Sequence, residues 1–161
     1  VVTKIRKVLG VMLCSIMLLS QALLVSAAPV ETKGDVLNVD RQYFDNGDYI
    51  ETVISESPIA AYSSSKSGSK SSTYYNASNE ALWYVEVTGT FTYTGSSSKC
   101  TGASVSADSY KSTWGVSNRS SSYSGNTATG KATGKRYFGN AVVETINKTV
   151  NLSCSANGTL S

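Results

Sequence analysis

Histidine is absent from the 161 residues of this chain. That absence removes every nucleophile system that pairs Ser or Cys with an imidazole, and every zinc or iron centre that needs one as a ligand. Helix-forming clusters of Leu, Ala, Glu and Lys are nearly missing beyond residue 48, where Ser, Thr, Tyr, Val and Gly dominate and no stretch holds a 3.6-residue apolar period. Cysteine is scarce, with three in the chain, and the carboxyl end has neither an apolar tail nor a Leu-Pro-x-Thr-Gly signal.

The amino end reads differently from the rest. Residues 1–27 combine a basic start (Lys4, Arg6, Lys7), an apolar run from Val8 to Leu19 and small residues at the end, the three-part pattern of a secretory signal peptide. The apolar run is about a dozen residues, short of the roughly 20 that span a bilayer. Cleavage after Ala27 is expected, with Ala28 as the near alternative and an uncleaved anchor as the other reading. Cys14 follows the large Leu13, unlike a lipoprotein cysteine, and is lost with the leader. The product is expected to be secreted, with no stable membrane anchor after cleavage. Losing three basic residues leaves 11 charges of each sign, so the excess of three positive charges belongs to the leader.

Cys100 and Cys154 remain. In an oxidising compartment a disulfide between them is the expected pairing, stabilising by about 4 kcal/mol in the chain-entropy model. Two buried thiols are the alternative.

Residues 28–48 mix Asp, Asn, Gly and Pro29 without a sustained period and read as an acidic linker or arm; residues 49–161 read as one domain. Its clearest segment is EALWYVEVTGTFTYT, with Trp83, Val85, Val87, Phe91 and Tyr93 on one parity and Tyr84, Glu86, Thr88, Thr90 and Thr92 on the other, which is a strand with one face in the core. AVVETINKTVNLSC repeats the pattern through Val142, Ile146, Val150, Leu152 and Cys154. Glu144 and Lys148 interrupt that face, which predicts a bulge or exposed end near residue 144. Turn signals at Asn76–Asn79, Gly95–Ser98, Ser124-Gly125-Asn126 and Gly139-Asn140 separate such runs. The runs are 49–56, 59–64, 69–76, 81–94, 99–107, 112–123, 127–138 and 141–154. They predict an all-β fold, a single antiparallel β-sandwich of about seven or eight strands. The order Cys100, Trp114, Cys154 is that of the immunoglobulin series, but Leu152 stands where that series has Tyr, so the likeness is one of architecture at most.

Several motifs dissolve on inspection. Gly125 to Lys131 has phosphate-loop spacing, yet Ala132 takes the place of the hydroxyl residue and the flanks alternate like strands. Ser-x-x-Lys at Ser63, Ser67 and Ser96 falls in Ser-rich, wet sequence that would not desolvate a Lys base. Glu80, Glu86, Asp108 and Glu144 read as solvated surface acids rather than a glycosidase pair. Asp45-Asn46-Gly47-Asp48 reads as a tight turn, lacking the oxygen ligands of a calcium loop. Five Asn-x-Ser/Thr triplets, at Asn76, Asn118, Asn147, Asn151 and Asn157, read as compositional. No catalytic residue, cofactor or metal ligand is therefore expected, and no nucleic-acid partner. The positive signal is a cation and tyrosine surface: Lys131 and Lys135 share a parity with Tyr137, Arg136 lies beside them, and Tyr84, Tyr110 and Tyr123 fall at exposed positions. Such a surface suits a cell-wall polymer or acidic glycan; edge-strand protection by Lys is the competing explanation.

The segments YYNASNEALWYVEVTGTFTYTGSSSKCTGAS, SGNTATGKATGKR and ETINKTVNLSCSANGTLS, with Trp114 between them, resemble a group of small secreted proteins of Gram-positive, clostridial-type bacteria. The resemblance implies export and a β-rich domain and carries no catalytic residues. The sequence thus predicts a secreted, non-catalytic binding or interaction module at or near the bacterial surface. A membrane-active small toxin or bacteriocin-like factor is the alternative.

Overall fold

The computed structural model describes residues 34–58 and 64–161, and among them the chain is all β. Eight strands follow in order: β1 (Asp35–Tyr43), β2 (Tyr49–Glu56), β3 (Ser65–Tyr75), β4 (Ala81–Tyr93), β5 (Ser98–Ser109), β6 (Trp114–Ser124), β7 (Thr127–Phe138) and β8 (Ala141–Ser153). They build two antiparallel sheets, β1-β2-β3-β4-β5 and β6-β7-β8, whose inner faces share one core. Each strand's sheet neighbours are its sequence neighbours, so both sheets are meanders, and the immunoglobulin order of strands is not followed. The expected leader over 1–27, Ala27 with it, and residues 59–63 of the strand expected over 59–64 lie outside the described residues.

The remaining expected runs appear as β2 to β8. The eighth strand, β1, lies in the segment read as an arm. Its sequence DVLNVDRQY has no apolar stripe because both of its faces are exposed. It is a strand through its backbone ladder to β2, from Asp35 opposite Glu56 to Tyr43 opposite Tyr49, and no side-chain alternation announces such a strand. The irregularity expected near residue 144 is present: Arg136 pairs with Glu144 but Tyr137 with Val142, leaving Val143 as the extra residue of a bulge.

Large side chains on β4 meet small ones on β7. Trp83, Val85, Val87 and Phe91 are fully buried. Opposite them run Ala128, Gly130, Ala132 and Gly134. A Cβ on Gly130 would lie 2.9 Å from Val87 Cβ, and one on Gly134 2.4 Å from Trp83 Cε2. Gly130 and Gly134 are thus a packing device that lets the two sheets approach closely enough to enclose the indole, whereas Gly125, the first glycine of the phosphate-loop spacing, is a turn residue with φ of 55° and no neighbour for a Cβ. Val150, Leu152, Ala107, Ile50, Ile54, Tyr74 and Trp114 complete the core. Each aliphatic side chain so buried contributes about 1.5–3 kcal/mol.

The expected disulfide is not formed. Cys100 and Cys154 are both buried free thiols, and each sulfur hydrogen lies toward a nearby carbonyl, that of Gly102 at 3.3 Å and that of Ser155 at 3.5 Å. Burial raises both thiol pKa values, so both stay protonated and serve as small core residues. Hydrophobic packing holds this end of the sandwich in place of a covalent link.

The two long sides of the sandwich differ. On one, β5 and β6 are stitched by Arg119 Nε donating to the Ala107 carbonyl at 2.6 Å and Ser121 Oγ donating to that of Ala103 at 3.3 Å. On the other, β1 and β8 are edge strands of their sheets. The chain after β8 turns back there: Cys154 bridges to Leu160, Ser153 and Ser161 exchange backbone hydrogen bonds of 2.9 Å, and Leu160 packs over Gly68 on β3.

Candidate binding cleft

Four rings run in a near-parallel stack toward one end of the sandwich. Phe44 lies 6.4 Å from Tyr74 at 11°, Tyr74 4.7 Å from Trp83 at 9°, and Trp83 6.3 Å from Trp114 at 22°. Trp83 is fully enclosed, while Phe44 at the outer end is 40% exposed. The stack forms because Tyr74 and Trp83 are cross-strand partners on the inner face and the β1–β2 turn carries Phe44 over Tyr74. Around Phe44, Tyr74 and Trp114 opens a cleft of about 980 Å³, with Asp45, Asp48, Asn76, Glu80, Lys111, Arg136 and Glu144 among its lining.

The rim is held by bonds between turns. Asp48 Oδ1 accepts from the Ala77 amide at 2.9 Å, joining the β1–β2 turn to the β3–β4 turn. Asn76 Oδ1 accepts from the amides of Ser78 and Glu80 at 3.0 and 2.9 Å, and its Nδ2 donates to Glu80 at 2.7 Å. Lys111, before β6, donates to the other Glu80 oxygen at 2.6 Å. These donors hold the Glu80 carboxyl below its ordinary pKa, Lys111 first. Across the opening, Arg136 pairs with Glu144 at 2.8 Å. Glu144 in turn helps burial to raise the pKa of Tyr74, whose hydroxyl therefore stays neutral. Three turns and one hairpin thus present rings and fixed polar groups around one opening, the usual composition of a small-molecule or glycan pocket. Asp45 to Asp48 is the tight turn expected: Asn46 Nδ2 donates to Asp48 at 2.9 Å, and the Asp48 amide donates to Asn46 Oδ1 at 3.1 Å.

The expected cation and tyrosine surface is distributed over several faces. Lys131 and Lys135 lie on the outer face of the smaller sheet, and Tyr137 covers Gly115 on the same face. Arg136 points to the cleft instead. Tyr84 and Tyr110 sit together, 5.5 Å apart, on the outer face of the larger sheet, on the opposite side of the molecule. Tyr123, 54% exposed, stands at the far end of β6 opposite Ala128. The structure therefore groups Lys131, Lys135 and Tyr137 and separates the others from them.

Around the two lysines the outer face is a lattice of hydroxyls and amides. Thr129 donates to Asn151 at 2.9 Å, Thr133 to Asn147 at 2.7 Å, and Asn118 Nδ2 to Thr133 at 3.3 Å. Asn118 occupies a bulge with φ of 53°, a conformation Asn tolerates better than most residues. Charge divides by sheet. Residues 34–109, which build the larger sheet, carry nine carboxylates and four cations, whereas β6 to β8 carry one carboxylate and five cations.

Glu86 departs from its expected role as a solvated acid. It is half-buried on the outer face of β4, opposite Ser71 and Ser106, and burial raises its pKa. The folded state thus keeps the Glu86 proton to higher pH than the unfolded chain. Its contribution to stability is complete below the ordinary glutamate range and is lost as pH rises through the raised folded value. Glu86→Gln is therefore expected to be more stable than the parent at neutral pH, the difference closing as the solution is acidified. Urea midpoints across a pH series measure this, and equal midpoints at neutral pH contradict it.

What the fold and cleft define is an open-sided antiparallel sandwich with an aromatic pocket at one end. Comparison with known proteins returns no family model that matches, no curated protein and no solved structure.

Proposed function

We propose that this protein is an exported, non-catalytic binding module that acts at or near a bacterial surface and takes a glycan, such as a cell-wall polymer, into its end cleft. The observation that carries the reading is the ring stack ending at exposed Phe44 beside a bonded polar rim. Flat apolar rings match the C–H face of a sugar, and the fixed carboxylates, amides and cations of the rim match its hydroxyls. The basic outer face with Lys131 and Lys135 adds a sequence-independent attraction to polyanions that falls with salt. Export rests on the leader pattern over residues 1–27 and on the resemblance to small secreted proteins.

Retention of the purified domain on intact cells and isolated walls, at low and high salt, tests the reading. The expected result is retention that weakens with salt and weakens further in Lys131→Ala/Lys135→Ala. A protein left in the supernatant under every condition overturns it.

One feature favours the membrane-active alternative. The β7–β8 hairpin tip exposes Phe138 at 82%, Val142 at 48% and Val143 at 51%. If this tip enters bilayers, the protein releases dye from liposomes and Phe138→Ser abolishes the release; intact liposomes at micromolar protein remove this alternative.

A further inference from the structure

On the open side of the sandwich, β3 and β8 each carry a lysine at an inner position. Lys70 pairs in register with Val87 and Ile54, and Lys148 pairs with Ala132, so both lie on the faces that the sheets turn toward each other. Each is half-buried. The charge of Lys70, added to burial, lowers the pKa of Lys148. Neither ammonium has an ion pair or hydrogen bond among the described residues. The nearby carboxylates are engaged elsewhere or distant: Glu56 holds Lys66 at 2.9 Å, Glu144 holds Arg136 at 2.8 Å, and Asp40 is exposed on β1, two strands from Lys70. Two like charges brought together in a partly dry groove, without a counter-ion from the protein, are a standing cost. A bound anion relieves it.

The two lysines lie on the same inner strand faces as the residues of the end cleft. Along β8 the inner positions step from Glu144 and Ile146, which line the cleft, to Lys148. Along β3 they step from Tyr74, also in the lining, through Ser72 to Lys70. Lys70 is four residues from Tyr74, about 13 Å at the strand rise, and Lys148 is two residues from Ile146, about 7 Å. The geometry points to Lys70 and Lys148 as a seat for an oxyanion substituent of the ligand, a carboxylate or phosphate borne by a glycan whose ring occupies the aromatic cleft. This rests on the glycan reading above and makes the ligand acidic. Lys70 is the cross-strand neighbour of buried Ile54, and methionine keeps an unbranched apolar stem of similar length at both positions while removing the charge.

Three ligands separate the possibilities: a galacturonate oligomer, its fully methyl-esterified neutral counterpart, and inorganic phosphate. Binding is measured calorimetrically for the parent, Lys70→Met/Lys148→Met and the control Lys99→Met, with folding checked by thermal midpoint. The acidic oligomer is expected to bind about tenfold more tightly than the ester. That preference disappears in the double variant and persists in Lys99→Met. Phosphate is expected to raise the thermal midpoint of the parent and not that of the double variant. Equal affinity for acid and ester, with no phosphate effect, overturns the anion seat and leaves the cleft reading standing. A phosphate effect without binding of either oligomer overturns the glycan reading and keeps the seat. An acid preference unchanged in the double variant assigns the selectivity to other cations and overturns the seat.

Discussion

Trp83→Ala is expected to lower the stability of the domain by about 3–5 kcal/mol, the range for removing a large buried aromatic. Trp83 is fully buried, stacks on Tyr74 and Trp114, and is the ring over which Gly134 passes. The surrounding backbone is two paired sheets, which cannot collapse into the space. The complementary change gives a second reading of the same contact. Any side chain at Gly134 puts its Cβ 2.4 Å from Trp83 Cε2, so Gly134→Val is expected to cost at least about 1–3 kcal/mol through overpacking. Combining the two should cost less than their sum, because a shortened residue 83 makes room for the valine. Urea unfolding of the single and double variants measures all three quantities, and additive losses would show that the glycine serves something other than this contact.

Phe44→Ala is expected to weaken glycan binding about tenfold, about 1.4 kcal/mol, while leaving the fold intact. Phe44 ends the ring stack, is 40% exposed, and belongs to a turn held by backbone bonds between Phe44 and Asp48 at 2.9 Å and between Gly47 and Phe44 at 3.0 Å. Those bonds do not depend on its side chain, so the change removes contact surface from the cleft and little else. An aromatic ring that a ligand covers has an effect of this size on truncation. Calorimetry with the neutral galacturonate ester separates this term from charge, and an affinity within twofold of the parent would place the sugar elsewhere.

The strands most legible in the sequence are those with one wet and one dry face. Trp83, Val85, Val87 and Phe91 announce β4 because alternate residues must point to opposite sides of a sheet, and the turn signals around Asn79, Gly95, Gly125 and Gly139 mark four of the reversals between strands with residues that accept positive φ. β1 is illegible for the opposite reason: with both faces exposed, no selection for alternation acts on Asp35 to Tyr43. The cleft was illegible as a site. Phe44 sits in what reads as an arm, Tyr74 and Trp114 carry no site signal of their own, and Asn76, Glu80 and Lys111 are scattered over turns. The residue that a sequence reading could have weighed more heavily is Lys148, an ammonium on the apolar parity of its strand; the companion signal, Lys70 on β3, is invisible in a Ser-rich run.

The disulfide shows the same division. Two cysteines in a chain whose amino end reads as a leader satisfy the compositional argument for a bridge, but bonding depends on the separation and direction of two Cβ vectors. Those are set by contacts between residues far apart in the chain: the Cys100 amide donates to the Gly125 carbonyl at 2.8 Å and the Cys154 amide to the Asn126 carbonyl at 3.0 Å.

By itself the sequence determined the all-β class, the approximate strand boundaries, the absence of imidazole chemistry and the segregation of acids toward the amino side of the chain. These follow from composition and from period-two order, which are local properties. The tertiary structure alone decided that the sheets are five and three strands, that one side is stitched and the other open, that four rings align into a platform, and that two lysines meet across a groove. Each of these is a juxtaposition of distant segments, fixed by strand register and by how closely Gly130 and Gly134 let the sheets approach.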